Sequence, residues 1–206
     1  ALSFAAPVVR ISTGLVSGVD LTQADGFLGI PFAQPPVGEL RFAAPVPAAS
    51  WSGVLNASTF GAGCPQLCKL PPHTCPDVQS EDCLTLNVYR PKGTKDSSSL
   101  PVVFFIEGGG FVQGSAGVLV YDARFLSNAT NVIVVTTNYR LGALGFLVND
   151  FSLGSFGMLD QRLALKWVQQ NIAAFGGNPT LVTLWGQSAG GSSVAYHLVA
   201  SESWGL

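Results

Sequence analysis

Gly186-Gln187-Ser188-Ala189-Gly190 sets a serine between two flanking glycines, and it does so where one kind of local structure gives way to another. Leu181 to Trp185 before it is apolar and β-prone, and Ala189 to Ala200 after it reads as a helix. In a strand–turn–helix setting, G-x-S-x-G is the signature of a nucleophile elbow. A turn that tight brings backbone against backbone, so a Cβ at either flank would clash. Ser188 would then stand at the tip with its hydroxyl exposed, beside helix-start amides that favour developing negative charge. A second stretch invites the same chemistry. The apolar run Pro101 to Ile106 ends in Glu107-Gly108-Gly109-Gly110-Phe111. Three glycines in succession are either a plain turn or a loop whose bare amides can approach a substrate oxygen. The two stretches together, each at a strand end, point to acyl transfer more strongly than either alone.

The elements needed to position them are legible in order. Val8 to Ile11 and Leu15 to Val19 read as a hairpin around Ser12-Thr13-Gly14, and Phe27 to Ile30 as a further strand. Residues 29–47 are rich in proline and glycine and read as a stiff packed loop. Within it Arg41 is expected to pair with a carboxylate. Leu84 to Tyr89 alternates like a half-buried strand, whereas Pro101 to Ile106 and Val132 to Thr137 are continuous runs of buried-strand type. Asp122 to Ser127 reads as a short helix. Gly157 to Phe175 reads as the longest helix, with one wide apolar stripe from Leu159, Leu163, Ala164, Trp167, Val168 and Ile172, stopped by Gly176-Gly177. This alternation predicts an α/β chain with a mostly parallel central sheet flanked by helices.

Bulk properties bound the function. The chain has 206 residues, 48% of them hydrophobic and 11% charged, with a net charge of −2. That fits one domain or part of one. It gives no reason to expect nucleic acid or an anionic membrane as partner, and no apolar run reaches transmembrane length. Cys64, Cys68, Cys75 and Cys83 lie in one proline-rich loop. Zinc is a possible reading of them, but without C-x-x-C pairs disulfides are the better one. Asn56-Ala57-Ser58 and Asn128-Ala129-Thr130 are glycosylation sequons, while Asn178-Pro179-Thr180 is blocked by its proline. Disulfides, sequons and a start compatible with a processed N-terminus, ALSFAAPVVR, predict a secreted glycoprotein. No metal or cofactor is suggested.

Four longer stretches carry a resemblance. FGGNPTLVTLWGQSAG (175–190) and EDCLTLNVYRP (81–91) resemble the two signatures of the type-B carboxylesterases, the group containing the cholinesterases. GIPFAQPPVGELRF (29–42) and NYRLGALGF (138–146) are similar as well, so the likeness spans nearly the whole chain. The resemblance implies an α/β-hydrolase fold, with residues 1–206 as the N-terminal part of a single domain. It implies Ser188 as nucleophile, oxyanion-hole amides from Gly109, Gly110 and Ala189, and a Cys64–Cys83 disulfide. That pairing leaves Cys68 to Cys75, an addition the family pattern does not contain. Two positions depart. The family usually has His or Tyr at Glu107 and Glu at Gln187, so a carboxylate is missing beside the serine and one is added beside the glycine loop. Either Glu107 is held partly buried and tunes the loop or the substrate's charge preference, or it points away and caps a hydrogen-bond network.

A serine hydrolase also needs a base and an orienting acid, in the α/β-hydrolase order Ser, Asp or Glu, His. After Ser188 the only candidates are His197 and Glu202, in reverse order. His197 lies nine residues along a helix, on roughly the opposite face and about 13 Å along the axis, which suits a packing role. His73, in the cysteine loop, reads as a surface residue. The expectation is therefore a two-chain protein, with cleavage near Leu206 and the acid and histidine on a bound C-terminal remainder. The leading function is a secreted carboxylic-ester hydrolase. The alternative is a catalytically silent member of the same fold used for adhesion, or a storage or structural glycoprotein. Phe111, Trp51 and Phe146 are candidate gorge aromatics, with core packing as the other reading.

Overall fold

The structure is a computed structural model that describes residues 6–71, 73–148, 150 and 154–206. The start taken above as a processed N-terminus lies largely outside the described residues. In chain order the elements are β1 (Val8–Ile11), β2 (Gly14–Ser17), β3 (Val19–Asp20), β4 (Ala24–Pro31), β5 (Val54–Asn56), β6 (Thr85–Pro91), β7 (Leu100–Ile106), α1 (Arg124–Thr130), β8 (Ile133–Thr137), α2 (Gly142–Phe146), α3 (Phe156–Asn171), β9 (Gly177–Gly186) and α4 (Ala189–Val199).

β1, β2 and β5 form a small sheet, and the other six strands form the main one in the order β3-β4-β6-β8-β7-β9. The main sheet is mixed, which corrects the expectation of mostly parallel pairing for this part of the domain. β3, β4, β6 and β8 pair antiparallel, and only β8-β7 and β7-β9 are parallel. The reason lies in the connections. Parallel neighbours need a long crossover, and helices fill those crossovers only after β7. The sequence around β4 and β6 offers proline-rich and cystine-rich loops instead.

Side-chain alternation sorts the core. Val102, Phe104 and Ile106 of β7 and Ile133 and Val135 of β8 face the main core with Ala164, Leu165 and Val168 of α3. Val134, one residue out of phase, faces the opposite side with Leu28, Tyr89 and Ala123 near α1. β6 was expected to be half-buried, but Leu86 through Pro91 are all buried because the strand lies between β4 and β8 with a layer on each face. α3 ends at Asn171 and continues as a 3-10 turn, Ile172–Phe175, before the glycine pair.

Polar residues inside these runs are the ties that hold the loops. Asn138 accepts from the Ala116 amide (2.8 Å) and the Ser115 hydroxyl (3.2 Å), and donates to the carbonyls of Ala62 and Cys83 (3.0 Å each). Arg140 makes a forked pair with Asp160 of α3, at 2.8 and 2.7 Å, and both side chains are almost wholly buried. Arg41 pairs with Glu81 through two 2.6 Å bonds, nearer the surface than its apolar neighbours suggest. Cys64 is bonded to Cys83, and Cys68 to Cys75. The first bridge is buried in the core and the second is half-buried in the loop.

Removing one partner of a buried, hydrogen-bonded ion pair strands the other charge, at a cost of about 3–5 kcal/mol. Arg140→Met is accordingly expected to lose stability on that scale in urea unfolding, and the double change Arg140→Met with Asp160→Leu to lose less than Arg140→Met alone.

Candidate active site

The parallel register brings the two glycine-containing stretches together. Ile106, the last residue of β7, lies beside Gly186, the last of β9, so the chain leaves both strands at the same sheet end. Ligands gather at the carboxyl ends of parallel strands, where such loops diverge. From β9 the backbone turns at Ser188 with φ 54° and ψ −118° and enters α4 directly. A non-glycine residue there stores about 1–3 kcal/mol of strain and persists only when its surroundings enforce it. The enforcement is visible at Gly190, where a Cβ would collide with the carbonyl of Ile106. A side chain at 190 would push the elbow off β7. The Gln187 amide adds a 3.3 Å bond to that same carbonyl.

The glycine loop packs against the elbow from the other side. A Cβ on Gly108 would lie 2.5 Å from the Gln187 carbonyl oxygen and 3.0 Å from Cβ of Ser188, so the loop packs on the Gln187 backbone and the base of the serine side chain. Beyond it the chain curls tightly, with the amides of Val112 and Gln113 both bonding to the Gly109 carbonyl at 3.2 Å. Among the described residues, the amides of Gly109, Gly110 and Ala189 donate to no other group. Ser188 and Gly110 are exposed. An accessible hydroxyl and uncommitted amides at one end of the sheet are the two halves that acyl transfer requires.

Glu107 is almost completely buried, with one carboxyl oxygen, Oε2, lacking any partner. Burial pushes its acid up to about 8. It neither points to solvent nor caps a network through that oxygen; its carboxyl is bonded by its own backbone amide, and its carbonyl accepts from the Tyr139 hydroxyl at 3.0 Å. Gln187 is exposed and its Oε1 accepts from the Tyr121 hydroxyl at 3.3 Å. Burial also raises the pKa values of Tyr121 and Tyr139, so both phenols near Glu107 stay neutral donors.

His197 is a structural residue. Its Nε2 meets Gln161 Oε1 at 3.1 Å and its Nδ1 meets Ser203 Oγ at 2.9 Å. Gln161 in turn donates to Ser193, whose hydroxyl donates to the Ala189 carbonyl at 3.0 Å. The Gln161 Oε1 acceptor requires a proton on Nε2, and burial lowers the histidine's pKa, which favours the neutral ring. His73 is exposed in the cysteine loop. Trp51 is no wall aromatic, because its indole bonds to the Leu15 carbonyl at 3.0 Å and packs on the β1-β2 hairpin. Phe111 and Phe146 lie 5.2 Å apart, ring to ring, and border a cavity of about 590 Å³ with Leu159 and Tyr196. Asn56 and Asn128 are both exposed, at the end of β5 and within α1. Among the described residues no group of His, Cys, Asp and Glu is arranged to hold a metal.

The sequence reading did not single out Tyr121, Asn138, Gln161 or Ser193. Gln161 had a visible signal, a polar residue on the apolar stripe of α3, and Asn138 had one too, an amide closing a wholly β-branched strand. Tyr121 had none, since it stands in a loop.

An elbow serine on a strand facing a glycine loop from a neighbouring parallel strand defines the α/β-hydrolase class. Within it, the chain belongs to the carboxylesterase family, whose profile matches residues 5–206. It is 45% identical to cocaine esterase of Oryctolagus cuniculus over 98% of this chain and 41% of that protein. It is 44% identical to acetylcholinesterase of Bungarus fasciatus over 95% of this chain and 34% of that one. It is 46% identical to the crystal protein of Dictyostelium discoideum over 96% and 36% respectively. The chain thus spans about two fifths or less of the length of these relatives.

The buried acid makes a pH prediction. The unfolded chain releases the Glu107 proton near the ordinary value of 4.5, whereas the folded state holds it to about 8. Through that window the unfolded state binds fewer protons, so stability falls as pH rises. Glu107→Gln is expected to be more stable than the parent at pH 8 and to lose that advantage toward pH 4.5, as read from unfolding midpoints across pH. Parallel profiles would contradict it.

Proposed function

We propose that the whole protein is a serine hydrolase of carboxylic esters. Ser188 attacks the ester carbonyl, and the amides of Gly109, Gly110 and Ala189 receive the oxyanion. The ester C–O bond breaks as the alcohol leaves, and water then cleaves the acyl-enzyme to release the carboxylic acid and free Ser188. The observation that carries this reading is the contact between the elbow and the glycine loop, with an exposed serine on one side and unpaired amides on the other. Family membership and relatives named as esterases agree with it.

The base and acid come, on this reading, from further sequence of the same domain, on one polypeptide or on a second that stays bound. Both ring nitrogens of His197 are engaged by Gln161 and Ser203, and the matched relatives are much longer than this chain. The exposed β9 edge, with Leu181 and Trp185 about half accessible, is where that remainder would continue the sheet. Two disulfides and accessible sequons at Asn56 and Asn128 support a secreted, glycosylated protein. A silent adhesion or structural role is less favoured, since this chain keeps both the serine and the glycines.

A fluorophosphonate probe tests the reading on the full-length protein. Labelling is expected on the Ser188 peptide and is expected to vanish in Ser188→Ala. Folded protein that stays unlabelled, or is labelled only elsewhere, would overturn it.

A further inference from the structure

A loop that offers bare amides has a mechanical difficulty. Glycines allow the amides to face outward, yet they also make the loop soft, and amides that wander contribute little to a transition state. Something outside the loop must hold it. Downstream the tie is Asn138, which fixes Ser115 and Ala116. Upstream it is the end of β7. The stretch between, residues 109–114, is held from the cysteine-rich segment.

The contact there is specific. The Gln66 carboxamide forms a closed two-bond ring with the backbone of Gly114: the Gly114 amide donates to Oε1 at 2.7 Å, and Nε2 donates to the Gly114 carbonyl at 2.6 Å. This is the pairing one strand residue would offer another, made by a side chain. The same Nε2 donates to the Cys64 carbonyl at 3.0 Å, and the Gln66 amide donates to Gln79 Oε1 at 2.9 Å. Three residues on, the Lys69 amide donates to Gln113 Oε1 at 2.8 Å. Three hydrogen bonds therefore cross from 66–69 to 113–114. Both anchor points are next to a disulfide. Gln66 follows Cys64, whose bridge to Cys83 is buried in the core, and Lys69 follows Cys68, which is bonded to Cys75.

We propose that Gln66 is a positioning residue for the oxyanion amides, its carboxamide clamping Gly114 while the Cys68–Cys75 bridge holds the second tie at Lys69. The proposal rests on the hydrolase reading above. Gln66 touches no reacting atom and acts through the shape of residues 109–113. Loosening the clamp leaves the substrate's ground-state contacts in place and blurs the amide array that matters only as charge develops. The cost belongs in kcat rather than KM.

The test uses the full-length enzyme. Gln66→Met keeps the length of the side chain and removes both bonds to Gly114 together with the one to the Cys64 carbonyl. Gln66→Glu keeps the acceptor for the Gly114 amide but sets a carboxylate oxygen against the carbonyls of Gly114 and Cys64. Cys68→Ser with Cys75→Ser opens the outer bridge and leaves Gln66 intact. With an ester substrate, Gln66→Met is expected to lower kcat roughly tenfold with KM within about twofold, a loss in line with small misplacement of catalytic groups. Its affinity for a trifluoromethyl ketone, which forms a tetrahedral adduct with the serine, is expected to fall by a similar factor. Gln66→Glu should lose at least as much on both readouts, and the double serine variant should shift kcat the same way by a smaller factor. If Gln66→Met fails to fold, the Gln66→Glu and double serine variants decide on the same readouts. Unchanged kcat and inhibitor affinity, or a rise in KM alone, would overturn the proposal while fluorophosphonate labelling of Ser188 leaves the hydrolase reading standing. Loss of that labelling in the parent would bring down both.

Discussion

Everything at the site follows from one register. Ile106 of β7 lies beside Gly186 of β9, so two loops leave the sheet at one level and must share the space above it. They can do so only because their closest positions lack side chains. Gly190 lies on the Ile106 carbonyl and Gly108 on the Gln187 carbonyl and Ser188 Cβ. Close packing of bare backbone there bends Ser188 into its strained turn and leaves amides uncommitted. The strain at the elbow and the availability of the amides are two consequences of the same crowding.

The rest of the molecule supports that crowding. The pairs Arg140–Asp160 and Asn138 with the loop carbonyls occupy interior places where hydrophobic residues would otherwise pack. They fix a long loop to a helix and a strand. The relay from Ser203 through His197, Gln161 and Ser193 to the Ala189 carbonyl does the same for the first turn of α4. Polar groups inside a core are costly unless satisfied, and here most of them bond to loop backbone. Glu107 is one of the exceptions among the described residues, a carboxyl whose Oε2 finds no partner directly behind the glycine loop.

Much of this was legible in the sequence, for physical reasons. The elbow was readable because strand, glycine, serine, glycine and helix follow within a dozen residues, and local sterics dictate such a turn. The central strands were readable as β-branched runs, and the stop of α3 as a glycine pair. The pairing direction at β4 and β6 was not, since direction depends on connections and the loops there have no period. The burial of β6 on both faces was hidden by its alternating pattern, in which Asn87 makes hydrogen bonds rather than meeting water. Gln66 was invisible because its importance is a contact across 48 residues, and no local pattern encodes it. Trp51 misled as a candidate gorge aromatic because an indole reads the same whether it lines a channel or pins a hairpin.

The central claim is that the Ser188 hydroxyl and the amides of Gly109, Gly110 and Ala189 converge on one oxygen. The most direct measurement is a crystal structure of the full-length protein carrying a phosphonate covalently attached to Ser188. The account predicts the phosphoryl oxygen at about 2.7–3.1 Å from all three nitrogens. A phosphoryl oxygen directed away from the glycine loop, with those amides bonded elsewhere, would contradict it.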